Sequence, residues 1–347
     1  MDSFSTRLIT TIYKSGQGFC VSTNSLRSVL SNLLLGCSGE AKEELANLLK
    51  GCDCECDCDC GINQDVQTSS VSEGTLMLTR NGYIIKKDFI NKSKQRFKTR
   101  IVGFSDPHKA TEVAKDWVLT ATKGMIKNMV LNIEESTKLV LLNAIYFLSR
   151  WKHPFNPCCT HDGRFTKYDK TVVTVKMMVN SGNYAIRHDS TLQATVLQLC
   201  YVDDSLSMFV IIPDAVTGID RIIKELCNLS LDPCLFTHKY IELFLPKFEV
   251  ENESKLNDSL KELKCRGIFM PGGLLNISDD PNLLVSDIQQ KTVVKVSEEG
   301  TEAASATAIL MSDGVAFLPK VKADKPFLCV IMHKEYQTPL FVVAFCG

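Results

Sequence analysis

The second half of the chain is dominated by strand-length runs in which apolar residues follow one another with little interruption: "TKLVLLNAIYFLSRW" (137–151), "ATVLQLCYV" (194–202), "SMFVIIPD" (207–214), "YIELFLPKFEVEN" (240–252), "KTVVKVSEEG" (291–300), "FLCVIMH" (327–333) and "LFVVAFCG" (340–347). A strand with one wet face alternates apolar and polar side chains, because successive side chains point to opposite faces. Runs that do not alternate need cover on both faces, so several of these strands must lie inside large, covered sheets. The first half supplies helices. "SLRSVLSNLLLG" carries apolar residues at helical spacing and stops at Gly36, "GEAKEELANLLKG" repeats the pattern and stops at Gly51, and "HKATEVAKDWVLTATKG" closes on Gly124 with Lys123 in its last turn. No internal repeat or flexible linker separates the halves, so the expectation is a single α+β domain built on large sheets.

Composition narrows the partners. Hydrophobic residues make up 45% and charged residues 23% of the chain, which is material for a core and no sign of disorder. A formal net charge of −1 offers no general surface for nucleic acid or anionic membrane, so neither is an expected partner. The start, "MDSFSTRLITTIYKSGQGF", lacks the basic, apolar and small-residue succession of a secretory signal, which points to the cytoplasm. Of the fifteen cysteines, most lie singly in apolar surroundings (Cys20, Cys200, Cys265, Cys329) and read as reduced thiols. The exception is "GCDCECDCDCG" at 51–61, where Cys52, Cys54, Cys56, Cys58 and Cys60 alternate with acids. In an extended chain those sulfurs share one face, which makes them metal-ligand candidates. With no histidine nearby and no standard zinc spacing, the segment reads instead as a solvated loop, and no metal is expected.

Catalytic signatures are missing. No G-x-S-x-G, H-E-x-x-H, P-loop or dinucleotide fingerprint occurs, and the six histidines are scattered singly. Cys158 or Cys159 with His161 is a candidate Cys–His pairing, and it needs geometry that spacing alone does not give. No enzyme activity and no cofactor are expected. What stands out instead is "EEGTEAASATAILMSDG" (298–314), a run of small side chains ending in a lone acid. Taken alone it reads equally as a short exposed helix or a flexible tether.

Several blocks, in order along nearly the whole chain, resemble the serpins, the family of large metastable protease inhibitors. They are "FCVSTNSLRSVLSNLLLGCSGEAKEEL", "TKGMIKNMV", "NAIYFLSRWKHPF", "SMFVIIPD", "LPKFEVENESKLNDSLKEL" with "IFMPGG", and "VSDIQQKTVVKVSEEGTEAASAT" followed by "KADKPFLCVIMH". The resemblance implies a helical layer packed on large, mostly antiparallel sheets, with an exposed reactive-centre loop at about 298–324. It also implies a suicide-substrate inhibitor, in which a protease cuts the loop and the loop's N-terminal part slides into the main sheet as an added strand.

On that reading the insertion hinge is Glu299, Gly300, Thr301, Glu302, Ala303, Ala304, Ser305, Ala306 and Thr307. Strand alternation turns Thr301, Ala303, Ser305 and Thr307 inward and leaves Glu302, Ala304 and Ala306 outward and wet. The resemblance assigns Ser22, Ser25, Asn143, Trp151 and Gln290 to the region where the sheet opens. Two departures from the family pattern occur there: Thr23 stands where proline is usual, and Gln290 where a histidine is usual. The stretch that would hold the family's helix D is short, cysteine-rich and without a basic stripe, which argues against glycosaminoglycan binding.

For the scissile bond, counting from Gly300 points to Gly314, and counting back from "KPF" to Gly314 or Val315. The poxviral, cytokine-response-modifier type of intracellular serpin has a loop one residue shorter and an aspartate before the cut, a spacing that selects Asp313–Gly314, with Leu310, Met311 and Ser312 as specificity residues. A carboxylate suits an arginine-bearing pocket, so the implied targets are Asp-specific proteases, the caspases and granzyme B. That implies an anti-apoptotic or anti-inflammatory monomer of the host–virus kind. Met311–Ser312 or Phe317 remain as baits for a chymotrypsin-like or elastase-like enzyme, and a non-inhibitory binding protein on the same scaffold remains as a further alternative.

Overall fold

The computed structural model describes residues 1–50, 70–127, 131–301, 318–335 and 337–347. The cysteine-rich run Cys52–Cys60, hinge residues 302–307 and bait residues 310–314 lie outside the described residues. Among the described residues, one five-stranded sheet runs in the order Phe248–Lys255 (β11), Val285–Val296 (β12), Leu139–Phe147 (β4), Val71–Arg80 (β2) and Arg100–Phe104 (β3). A nine-stranded sheet runs Phe19–Val21 (β1), Thr338–Phe345 (β16), Phe327–His333 (β15), Leu206–Pro213 (β9), Ala194–Cys200 (β8), Val172–Asp189 (β7), Thr237–Pro246 (β10) and Lys320–Lys322 (β14), with His161–Thr166 (β6) added on β7. Two residues, Gly300–Thr301 (β13), pair antiparallel with Ser149–Arg150 (β5). Most ladders are antiparallel; β12 with β4, β2 with β3 and β10 with β14 are parallel.

Helices Ser3–Ile12 (α1), Thr23–Gly36 (α2), Gly39–Leu49 (α3), Lys87–Phe97 (α4), Pro107–Ala121 (α5), Ile219–Lys224 (α6) and Asn257–Glu262 (α7) supply the cover. Strand β4 shows why its sequence does not alternate, since every residue is buried. Val140, Leu142, Ala144 and Tyr146 pack in one cluster with Trp117 and Val118 of α5. On the opposite face Leu139 and Leu141 meet the cluster that includes α2, and Ile145 and Phe147 join the core shared with the nine-stranded sheet. Helix α2 ends where Gly36 lets its backbone approach Ile277, whose side chain would lie 2.1 Å from any Cβ at that position.

The sequence run "YIELFLPKFEVEN" divides at Lys247, so that β10 and β11 belong to different sheets. Strands β2 and β3 and helices α1 and α4 are elements that the apolar pattern does not reveal. After Val71, strand β2 continues with Ser72, Glu73, Gly74 and Thr75 and is apolar again only over residues 76–78, too briefly to stand out.

Candidate functional site

The site lies along the parallel seam between β12 and β4. Their register sets Gln290 beside Asn143, and the N-terminus of α2 sits against that point. Ser22 caps α2, its hydroxyl accepting from the Ser25 N–H at 3.3 Å, which satisfies a helix N–H that has no intrahelical partner. Gln290 then ties the cap to the sheet. Its Oε1 accepts from the Ser22 N–H at 3.0 Å, and its Nε2 donates to Ser22 O at 3.1 Å and to Asn143 Oδ1 at 2.7 Å. Asn143 Nδ2 donates to Ser25 Oγ at 2.8 Å and to Gly74 O on β2 at 3.1 Å. Ser22, Ser25, Asn143 and Gln290 are all buried, so each bond is made out of water's competition and holds the seam closed. Thr23, also buried, reaches Pro339 O at 3.5 Å.

Trp151, grouped with these four on the sequence, is not part of their network. It lies beyond the end of β4, where its backbone N–H donates to Glu299 O at 2.9 Å and its indole Nε1 to Ser297 O at 2.9 Å. Its ring stacks on Tyr201 at 4.6 Å. The five residues that the family resemblance groups together therefore occupy two places, a lock in mid-seam and a clamp at the seam's end.

The clamp holds residues 297–299. Buried Glu298 accepts from Thr160 Oγ1 and from Lys247 Nζ, each at 2.9 Å, while its carbonyl accepts from the Phe155 N–H at 2.7 Å. Burial raises the Glu298 carboxyl, but the hydrogen bonds from Lys247, its own N–H and Thr160 outweigh that and hold its pKa below the usual glutamate range. Sequence reasoning missed this anchor. Lys247 and Thr160 lie far from Glu298 along the chain, with no spacing signal that links them. Gly300 follows at φ +141°, and a Cβ there would meet Ser149 O at 2.3 Å, so only glycine fits the reversal.

On the α5 side of the seam Tyr146, Ala144, Val293 and Lys291 are all buried, and only Leu148 (43% exposed) and the Lys295 side chain (35%) open to water. The face is dry because α5 lies over it. Lys291 keeps its charge there by pairing with Glu251 at 2.5 Å and Glu253 at 3.4 Å on β11.

His161 turns its Nδ1 to the Cys159 backbone carbonyl at 3.1 Å, so its short spacing from the Cys158–Cys159 pair yields no thiol–imidazole hydrogen bond. All ten described cysteines are free. Burial pushes the thiols of Cys20, Cys37 and Cys329 well up, and that of Cys265 to about 12, which keeps them protonated and inert. Among the described residues no group of three or more His, Cys, Asp and Glu could hold a metal, and no helix is long and apolar enough to cross a membrane.

Comparison with known proteins agrees with this geometry. The model of the family "Serpin (serine protease inhibitor)" matches residues 1–346. An uncharacterised serpin-like protein of fowlpox virus (strain NVSL) is 34% identical, with 98% of this chain and 99% of the viral protein covered. The leukocyte elastase inhibitor of Xenopus laevis is 31% identical over 91% of this chain and 89% of its own. Among solved structures, Serpin48 of the insect Tenebrio molitor superposes with a TM-score of 0.87 at 24% identity, covering 99% of this chain and 96% of that one. Human thyroxine-binding globulin, solved with its ligand, superposes at 0.85 and 21% identity, covering 100% and 96%, a likeness of fold alone. The lock, the clamp and the parallel seam thus sit on a known scaffold, and the chain belongs to the serpin family.

Proposed function

We propose that this serpin is an inhibitory, suicide-substrate type. The observation that carries the reading is β13. Gly300 and Thr301 run antiparallel to Ser149 and Arg150, and those residues prolong β4 at the end of its seam with β12. Continued without slip, that pairing sets Ala303 beside Phe147, Ser305 beside Ile145 and Thr307 beside Asn143. The β4–β12 register then puts Val294, Thr292 and Gln290 on the other side of the same three residues. An incoming strand would thus run antiparallel to both neighbours and replace a parallel ladder with two antiparallel ones. In the inserted state Thr307, a hydroxyl residue, would occupy the place where Gln290 and Asn143 now bond each other. The small side chains at 303–307 suit both faces of this slot, since a bulky one would cost about 1–3 kcal/mol of overpacking.

The reaction itself is the protease's. Its serine or cysteine attacks the bait carbonyl and forms the acyl bond, the new amino terminus leaves, and insertion carries the enzyme away before water can release it. The bait is Asp313, before Gly314, with Leu310, Met311 and Ser312 filling neighbouring subsites. The target class is the Asp-specific proteases, met inside the cell by a monomeric inhibitor. The test is incubation with a panel of caspases, granzyme B, chymotrypsin and elastase, followed by denaturing electrophoresis and mass mapping of the cut. An SDS-stable complex with an Asp-specific enzyme and a cut after Asp313 is expected. Asp313→Ala should slow that association at least roughly tenfold, the worth of a charge-assisted contact of about 1.5–3 kcal/mol. A cut after Met311 or Phe317 would move the target class, and cleavage without any stable complex would leave a non-inhibitory serpin.

A further inference from the structure

We propose that Thr292 is a positioning residue for the loop, matched to the hydroxyl at position 305, and that the two side chains form a hydrogen bond only when the loop has entered the sheet. The proposal rests on the inhibitory reading above and goes beyond it to a single residue pair. Thr292 is fully buried on β12, and its Oγ1 has no hydrogen-bond partner. Such a hydroxyl destabilises the sheet that contains it, and native proteins keep few of them.

Its surroundings explain why it is unpaired. On the β4 side its neighbour in register is Ile145, which has nothing to donate or accept with its side chain. On the β11 side the neighbour is Asn252, whose amide donates to Ser254 Oγ at 2.6 Å. Two residues along β12 on the same face, Gln290 spends its amide on Ser22 and Asn143. The closed sheet therefore leaves the Thr292 hydroxyl without a hydrogen-bond partner.

An inserted strand changes what lies beside it. The register set by β13 with β5, carried across by β4 with β12, puts residue 305 directly opposite Thr292 and on the same face. Residue 305 is serine. Directly opposed side chains on neighbouring antiparallel strands have Cβ atoms about 4.5–5.5 Å apart, a separation that threonine–serine pairs bridge by a hydrogen bond. The neighbouring inward positions 301 and 307 also carry hydroxyls, but 303, opposite Val294, carries alanine. At 303, 305 and 307 the apolar and polar inward residues of the loop thus follow Val294, Thr292 and Gln290 of β12. The unpaired hydroxyl makes the closed sheet less stable and the filled sheet more so, which tilts the balance toward insertion.

The test is a double-mutant cycle on the full chain, with Thr292→Val as the near-isosteric change and Ser305→Ala as its partner. Each variant is cut with thermolysin, a metalloprotease that forms no acyl-enzyme and is not trapped, and the cut is verified by mass spectrometry to lie C-terminal to residue 308. Thermal unfolding is recorded in guanidinium before and after the cut. In the cut protein Ser305→Ala should lower Tm by about 2 °C when residue 292 is threonine and leave it unchanged or raise it when residue 292 is valine. Before the cut Ser305→Ala should be silent in both backgrounds, and Thr292→Val should raise Tm. Equal shifts from Ser305→Ala in the two backgrounds would overturn the pairing while leaving the inhibitory reading intact. Failure of the cut to raise the Tm of the unmodified chain would overturn both.

Discussion

Gln290 makes three hydrogen bonds with one uncharged amide, so the mid-seam lock has no group that titrates near neutral pH, unlike one built on histidine. Acid acts instead at Glu298. Its folded pKa is depressed, so the contribution of its carboxylate is fully present above the unfolded value of about 4.3 and is lost as pH falls through the lower folded value. The uncut protein should therefore lose Tm between about pH 5 and pH 3 more steeply than its Glu298→Gln variant. Melting curves over that range check this, and parallel curves would mean that the Lys247–Glu298–Thr160 anchor adds nothing to stability. The two sites differed in legibility. Ser22, Ser25, Asn143 and Gln290 stand inside blocks that resemble the family, whereas an ion pair between residues 247 and 298 depends on how two strands are brought together, which no local pattern records.

At the scale of elements, the inhibitory reading makes α5 the element that limits what an inserting loop can carry. Ala304 would lie between Tyr146 and Val293, both in the cluster beneath α5, whereas Glu302 would lie between exposed Leu148 and Lys295. Ala304→Glu should therefore convert the inhibitor into a substrate, because an unpaired buried carboxylate stalls the strand, while Glu302→Ala should leave the stoichiometry of inhibition near its starting value. Titration against a fixed amount of target protease measures both. Equal tolerance at the two positions would show that α5 moves clear of this face. Helix α5 itself was legible, as were α2, α3 and the doubly covered strand β4, since each carries a complete period of its own. What lay beyond reading was the division of residues 240–252 between two sheets, because an apolar alternation looks the same on either side of Lys247.

At the scale of the whole molecule, the inhibitory reading implies that the parallel seam leaves the uncut protein short of its most stable arrangement. Inserting residues 301–307 adds ladder hydrogen bonds at about 1 kcal/mol each, and roughly 2 °C per kcal/mol puts the expected rise in Tm on loop cleavage at about 10 °C or more. Scanning calorimetry before and after a clean cut within 310–315 measures it, and an unchanged transition excludes a metastable starting state. The α+β layering behind this was readable from runs that needed two covered faces, but the joining of nine strands into one sheet was not, because pairing between distant strands leaves no local trace. That same sheet determines what becomes of the nicked protein. The fragment beginning at Gly314 carries β14, β15 and β16, and β15 lies between β9 and β16, while β16 lies between β15 and β1, both almost wholly buried. A two-chain product therefore cannot shed its smaller piece without dissolving its own core, and it travels with any captured enzyme as one particle whose broken bond shows only after denaturation.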